Sequence, residues 1–226
     1  MTHTTHWGYV GAVAPEFWGQ LDPAYLACST GKHQSPVDFA DVKSQSLYPI
    51  VFYYQPTRLR VINNGHTIQV NYDPGSSIAM DCVCYDLLQF HFHTPSEHTF
   101  AGKFADLELH LVHKDRDGRF FVVGVVFYVG AENAALQPIW DAMPPVEGPE
   151  QSAPVMINAI DLLPAIHTAY RYCGSLTTPP CSEGVFWAVM TTPLSLSRAQ
   201  LNTFAAIFAH NNRPVQPLNG RIITMG

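Results

Sequence analysis

The feature that most limits how this chain can fold is a strict two-residue alternation of apolar and polar side chains in separate stretches. Gln89-Phe90-His91-Phe92-His93 follows it, and so does Asp106-Leu107-Glu108-Leu109-His110-Leu111. Successive residues of a strand point to opposite faces, so this period demands extended chain with one face in a core. The Leu87–His93 and Ala105–His113 segments are therefore read as strands. Leu59–Ile62 and Thr67–Tyr72 add two more, joined by a hairpin-like Asn63-Asn64-Gly65 turn. Asp115-Arg116-Asp117-Gly118 turns the chain into Phe120–Val129, an almost wholly apolar run expected to be a central strand buried on both faces. Ala169–Cys173 and Val185–Thr191 complete the list. Helices are few. Ser197 and Gln200 form a capping-box pattern ahead of Leu201, Phe204, Ala205 and Phe208, which share one face of a helix over Ser197–Phe208. A second helix is expected over Ala134–Met143, and the Pro-rich segment Met143–Pro154 reads as a long loop. There is no repeat and no linker, so residues 1–226 read as one mostly β (α+β) domain.

Composition excludes several function classes. Aromatic residues make up 12% and hydrophobic residues 47%, too many for a disordered chain. No apolar run approaches the roughly 18–20 residues of a helical membrane span. A net charge of −6 argues against nucleic acid as a partner. Met1 to Tyr9 has neither a basic stretch nor an apolar one and does not read as a signal peptide. Of the five cysteines, Cys82, Cys84 and Cys173 lie in strand-like stretches and are expected to be buried as small hydrophobes. Cys82 and Cys84 should face opposite sides of a strand and not bond to each other. Cys28 and Cys181 lie far apart in loop-like surroundings.

The histidines carry the chemistry. Gln89, His91 and His93 share one strand face; Glu108 and His110 share a face of the next strand. If those strands pair antiparallel through the 94–104 loop, three imidazoles converge from one rigid sheet. A catalytic zinc needs three protein ligands and an open fourth position. A metal-bound imidazole usually gives its other N–H to a carboxylate, amide or carbonyl. Gln89 stands two residues before His91 and Glu108 two before His110, one orienting group for each of two ligands. A second metal reading starts from His91-x-His93-x-x-x-Glu97, the first motif of the cupins, in which the Glu is itself a ligand. The downstream cupin motif, Pro-x-Gly-x-x-His-x-x-x-Asn, is absent.

Further segments resemble the α-class carbonic anhydrases. They are Trp7-Gly8-Tyr9, Gly31-Lys32-His33-Gln34-Ser35-Pro36-Val37-Asp38, Asn63-Asn64-Gly65-His66, Ser96-Glu97-His98-Thr99, Glu108-Leu109-His110-Leu111-Val112-His113, Gly174-Ser175-Leu176-Thr177-Thr178-Pro179-Pro180-Cys181 and Asn212-Arg213-Pro214-Val215-Gln216-Pro217-Leu218. They run in order along nearly the whole chain. The resemblance implies a single domain around a large, mostly antiparallel, twisted sheet of about ten strands with short peripheral helices. It implies reversible hydration of CO2 to bicarbonate and a proton through a zinc-bound hydroxide, with weak esterase activity.

Carried over by position, His91, His93 and His110 are the Zn2+ ligands. Thr177 is the hydroxyl that accepts from the hydroxide and donates to buried Glu97. His66 is the proton shuttle. Val112, Val122, Leu176, Val185 and Trp187 form the apolar wall where CO2 docks, and Thr178 lines the polar side. Tyr9, Asn64 and Gln69 form the polar wall that orders water. His98 and His33 have structural roles; His3, His6, His113, His167 and His210 have none. The resemblance also implies binding of sulfonamide and anion inhibitors and leaves room for a homodimer.

Only Thr94-Pro95-Ser96 separates His93 from Glu97, where animal members carry an insertion; the compact form resembles the bacterial enzymes. Cys28 and Cys181 occupy the positions of the family's common disulfide, found in secreted and periplasmic members. That turns the compartment toward the periplasm or exterior, with the cytoplasm left open. Two other readings stay beside this one: an inactive carbonic-anhydrase-like binding protein, and a cupin-type oxygenase.

Overall fold

The computed structural model describes residues 5–226; His3 lies outside them. The alternating stretches become the centre of a 13-stranded sheet. Ten strands run edge to edge in the order Val42–Ser44, Ile223–Met225, Ala169–Ser175, Glu183–Met190, Phe120–Val129, Leu107–Lys114, Val83–His93, Ile68–Asn71, Thr57–Asn63 and Gln151–Ile157. Val51–Tyr53, Ser77–Met80 and Leu194–Leu196 attach beside this path. Most pairings are antiparallel. Phe120–Val129 instead runs parallel to Glu183–Met190, its central place matching its apolar run.

The two faces carry different cargo. One face buries Phe90, Phe92, Leu109, Leu111, Phe121, Val123 and Val125 in the main core. The other carries a smaller buried cluster, with Val112, Val122, Tyr172, Val185 and Trp187, beside the histidines. The helix at Arg198–Ala205 closes the main core. Ser197 caps it, with both bonds of the capping box formed, and Phe204 reaches Phe92, ring centroids 6.0 Å apart. The second helix is shorter than its sequence pattern, Gln137–Ala142. The Pro-rich loop also ends early, because Gln151–Ile157 pairs with Thr57–Asn63 as an edge strand.

The strand cysteines depart from expectation: Cys82, Cys84 and Cys173 are all exposed. Cys82 sits in the turn after Ser77–Met80 with φ +62°, so strand alternation does not govern it. Cys84 and Cys173 occupy outward positions of their strands. Cys28 and Cys181 are bonded to each other and packed against Trp18, with Tyr9 and Trp7 nearby.

Candidate functional site

Strand register builds the site. His91 lies directly opposite His110, and Gln69 opposite His91. Ligand atoms of His91, His93 and His110 all lie within 4.8 Å of one another. Each ring has one nitrogen held from behind. His91 Nδ1 donates to Gln89 Oε1 at 2.9 Å, and His110 Nε2 to Glu108 Oε1 at 3.0 Å. His93 Nδ1 donates to the backbone carbonyl of Asn211 at 2.6 Å. Strand alternation could not foresee Asn211, which stands 118 residues further along the chain.

Among the described residues, the remaining nitrogens, Nε2 of His91, Nε2 of His93 and Nδ1 of His110, have no hydrogen-bond partner. His93 Nε2 is buried and has no hydrogen-bond partner. Three neutral imidazoles converging on one point, one with an orphaned buried nitrogen, form the donor set a tetrahedral zinc takes. Burial holds all three rings neutral. It drives His93 down to about 4 and His91 well below the ordinary imidazole range, with His110 also lowered. A ligand nitrogen must carry no proton, so burial prepares the rings for metal.

Two carboxylates lie beside the triad in opposite states. Burial pushes Glu108 up, but His98 and His110 outweigh it and hold the carboxyl well below its usual value. Glu108 accepts from the backbone N–H groups of Glu97 and His98 at 2.8 and 2.9 Å, and from His98 Nδ1 at 2.7 Å. Glu97 is raised by burial to about 7, against the opposing pull of His110, the Arg213 N–H and the Thr177 hydroxyl. Its Oε1 accepts from Arg213 N at 2.8 Å. Its Oε2 has no hydrogen-bond partner and lies 3.7 Å from His93 Nε2 and 3.8 Å from His110 Nδ1.

The space in front of the histidines has two lobes. One, about 230 Å³, is walled by Val112, Val122, Leu176, Trp187 and Phe120, with Thr177, Thr178, Gln89, His91 and His110 on its polar side. Phe120 is an addition to the sequence reading. Val185 shares the buried cluster with Val122 and Trp187 but does not line the lobe. The other lobe, about 120 Å³, is lined by Trp7, Tyr9, Asn64, His66, Gln69, His91 and His93 among others. At its mouth His66 is half-buried and stacks on Trp7, ring centroids 3.6 Å apart and planes 9° apart. Burial lowers His66 below the ordinary imidazole range. A larger groove of about 350 Å³, with Phe121, Phe186, Arg171 and Cys173 in its lining, contains none of the triad.

Comparison with known proteins agrees with this geometry. Residues 13–226 match the family model described as eukaryotic-type carbonic anhydrase. A curated relative from Nostoc sp., named carbonic anhydrase, is 49% identical over 97% of this chain and 86% of its own length. One from Pectobacterium carotovorum, with the same name, is 44% identical over 98% and 91%. The solved α-carbonic anhydrase of Thermovibrio ammonificans, in complex with the inhibitor sulfanilamide, superposes with a TM-score of 0.95. It is 46% identical, covering 98% of this chain and 99% of that one.

Proposed function

The chain belongs to the eukaryotic-type, or α-class, carbonic anhydrase family, and on that membership we propose that it catalyses the reversible hydration of CO2 at the cavity in front of His91, His93 and His110. The observation that carries the reading is the convergence of three imidazole nitrogens whose partner nitrogens are each fixed from behind. Those free nitrogens are the atoms that would hold zinc. Bound there, zinc would supply Lewis acidity that brings the pKa of water down to about 7, for which carbonic anhydrase is itself the standard example.

The protein's own groups do the rest. Gln89, Glu108 and the Asn211 carbonyl keep each ring aimed and keep its proton on the far nitrogen. Glu97 lies beside the triad, and the Thr177 hydroxyl favours its ionised form. With Glu97 ionised, the Thr177 hydroxyl would donate to it and leave its own oxygen free to accept a hydrogen bond from the attacking water. That orients the water's lone pair toward the apolar lobe. Val112, Val122, Leu176 and Trp187 offer CO2 no hydrogen bond, which suits an apolar substrate that must be held loosely and released as an anion. Tyr9, Asn64 and Gln69 bind water between the histidines and His66, which accepts the proton on an imidazole nitrogen and yields it to solvent.

By the same reading the polar lobe takes sulfonamides, as the Thermovibrio neighbour takes sulfanilamide, and the Cys28–Cys181 bond marks an oxidising compartment, the periplasm or exterior. Metal analysis and stopped-flow CO2 hydration test the central proposal. His91→Ala should lose stoichiometric zinc and hydration activity together; full activity in zinc-free protein would overturn it. His66→Ala should slow turnover in weak buffer, with recovery on adding imidazole.

A further inference from the structure

The loop between Ala142 and Gln151 meets the His66 turn. Asn63 clamps it at two points: its Nδ2 donates to the Pro144 carbonyl at 3.1 Å, and its carbonyl accepts from Gly148 N at 3.1 Å. The same side chain holds the turn, its Oδ1 accepting from Gly65 N at 3.0 Å. Between the two clamp points lies Glu147. Its carboxylate rests over Gly65, where a Cβ would come within 2.9 Å of Oε2. Gly65 is the neighbour of His66, has φ +83°, and leaves the room that the carboxylate fills. An exposed carboxylate could point anywhere on this surface, but the clamped backbone on either side of Glu147 sets this one beside the residue assigned to carry protons out.

We propose that Glu147 is a positioning residue for proton transfer: its carboxylate, held over the Gly65–His66 turn, favours the imidazolium form of His66 and makes His66 a better acceptor for protons leaving the cavity. The proposal rests on the shuttle reading of His66. The charge environment agrees with the geometry. Burial and the neighbouring His6 disfavour the imidazolium, and Glu147 acts against both. The other titratable groups facing this lobe are Tyr9, His91 and His93. Trp7 covers the imidazole face without charge. Among the described residues, Glu147 is the carboxylate acting on His66, and it opposes the burial and the His6 charge that disfavour the imidazolium.

The decisive experiment compares native protein with Glu147→Gln. NMR titration of His66 in the metal-free protein should show its pKa falling by about half a unit, a threefold change in proton affinity. In the zinc-loaded enzyme, kcat in weak buffer should fall about two- to threefold. kcat/KM for CO2 should be unchanged, because the hydration step precedes proton export, and concentrated imidazole buffer should restore kcat. A merely structural role would move kcat/KM and leave the His66 titration alone. An unchanged His66 pKa in Glu147→Gln overturns the proposal. Should that variant fail to fold, raising salt on the native protein reads the same charge: the His66 pKa must fall as Glu147 is screened, and a flat response overturns the proposal equally. His66→Ala separates the two levels. If it lowers kcat in weak buffer while Glu147→Gln does not, only the Glu147 role fails. If His66→Ala has no effect, the shuttle reading fails and this proposal with it.

Discussion

Reducing the Cys28–Cys181 bond gives the sharpest stability prediction. The two cysteines are 153 residues apart. On the loop-closure model, a cross-link of that span removes about 17 cal/mol/K of entropy from the unfolded chain, about 5 kcal/mol at 25 °C. The bond also ties functional segments together. Cys181 N donates to Thr178 O at 2.9 Å, and the Cys28 carbonyl accepts from Arg213, whose own N–H holds Glu97. Reduction should therefore cost activity as well as stability. The assay is urea unfolding of oxidised and reduced protein at pH 7.5, both metal-free so that zinc binding adds nothing to the folded state. The reduced form should be less stable by about 3–5 kcal/mol, a midpoint shift of about 1–1.7 M at a slope near 3 kcal/mol/M. Cys28→Ala/Cys181→Ala should match it, with a small added loss for the smaller buried side chains. A difference under about 1 kcal/mol, with the bond verified by mass in the oxidised sample, would refute the reasoning. It would mean that residual structure in the unfolded chain already restricts the segment between these residues.

Three further outcomes follow. Gln89→Ala should weaken zinc binding about 10- to 100-fold in a chelator competition, because His91 loses the group that fixes its ring, while the metal-free fold stays close to native stability. Glu108→Gln should cost about 2–6 kcal/mol in urea unfolding, because an amide can face only some of the four N–H groups that the carboxylate now accepts from, leaving the others unpaired in the interior. His113, fully buried and held by burial at about 3, stays neutral in the fold while the unfolded chain takes up a proton near pH 6.5. The unfolded state then binds more protons between those values, so stability falls as pH drops, by about 2 kcal/mol from this one group at pH 5. His113→Gln, which keeps hydrogen-bonding capacity without titrating, should show a correspondingly shallower loss from pH 7 to pH 5.

The sheet's centre was legible because its strands are long enough to display a period. His91, His93 and His110, with Gln89 and Glu108, could be placed on one face from two adjacent alternating stretches, and the observed register sets His91 against His110. Edge strands such as Val42–Ser44 and Ile223–Met225 are three residues long, too short to show any period, and owe their conformation to the neighbour they pair with. The third orienting group, Asn211, was hidden for a different reason. It acts through its backbone carbonyl from a distant segment, so no side-chain pattern could mark it. The cysteines misled because hydrophobicity was weighed without knowing which strand face was open. Phe104 and the Lys103–Phe104 turn strand show the same point, with Phe104 exposed despite its apolar side chain.

Glu108 explains why so much polar chemistry can be buried on one face of this sheet. An isolated carboxylate with no exposed surface would be prohibitively costly to bury. Here it accepts from His110 Nε2 on its own strand and from three donors of the Glu97–His98 turn. His98 continues the chain through its other nitrogen to the Tyr172 hydroxyl at 2.7 Å, and that hydroxyl reaches Ser35 at 2.9 Å. Glu108, His98, Tyr172 and Ser35 thus each have partners, and this network can be rigid where a solvated one would not be. The consequence for the site is geometric. The turn that Glu108 grips is the one that carries Glu97, so a single carboxylate fixes both the ring of His110 and the position of the group beside Thr177. The short spacing between His93 and Glu97 leaves the connection little freedom at the point where Glu108 takes two adjacent backbone N–H groups on one oxygen. The compact Thr94-Pro95-Ser96 connection and the ordering of the His110 ring are, in this arrangement, two ends of the same set of hydrogen bonds.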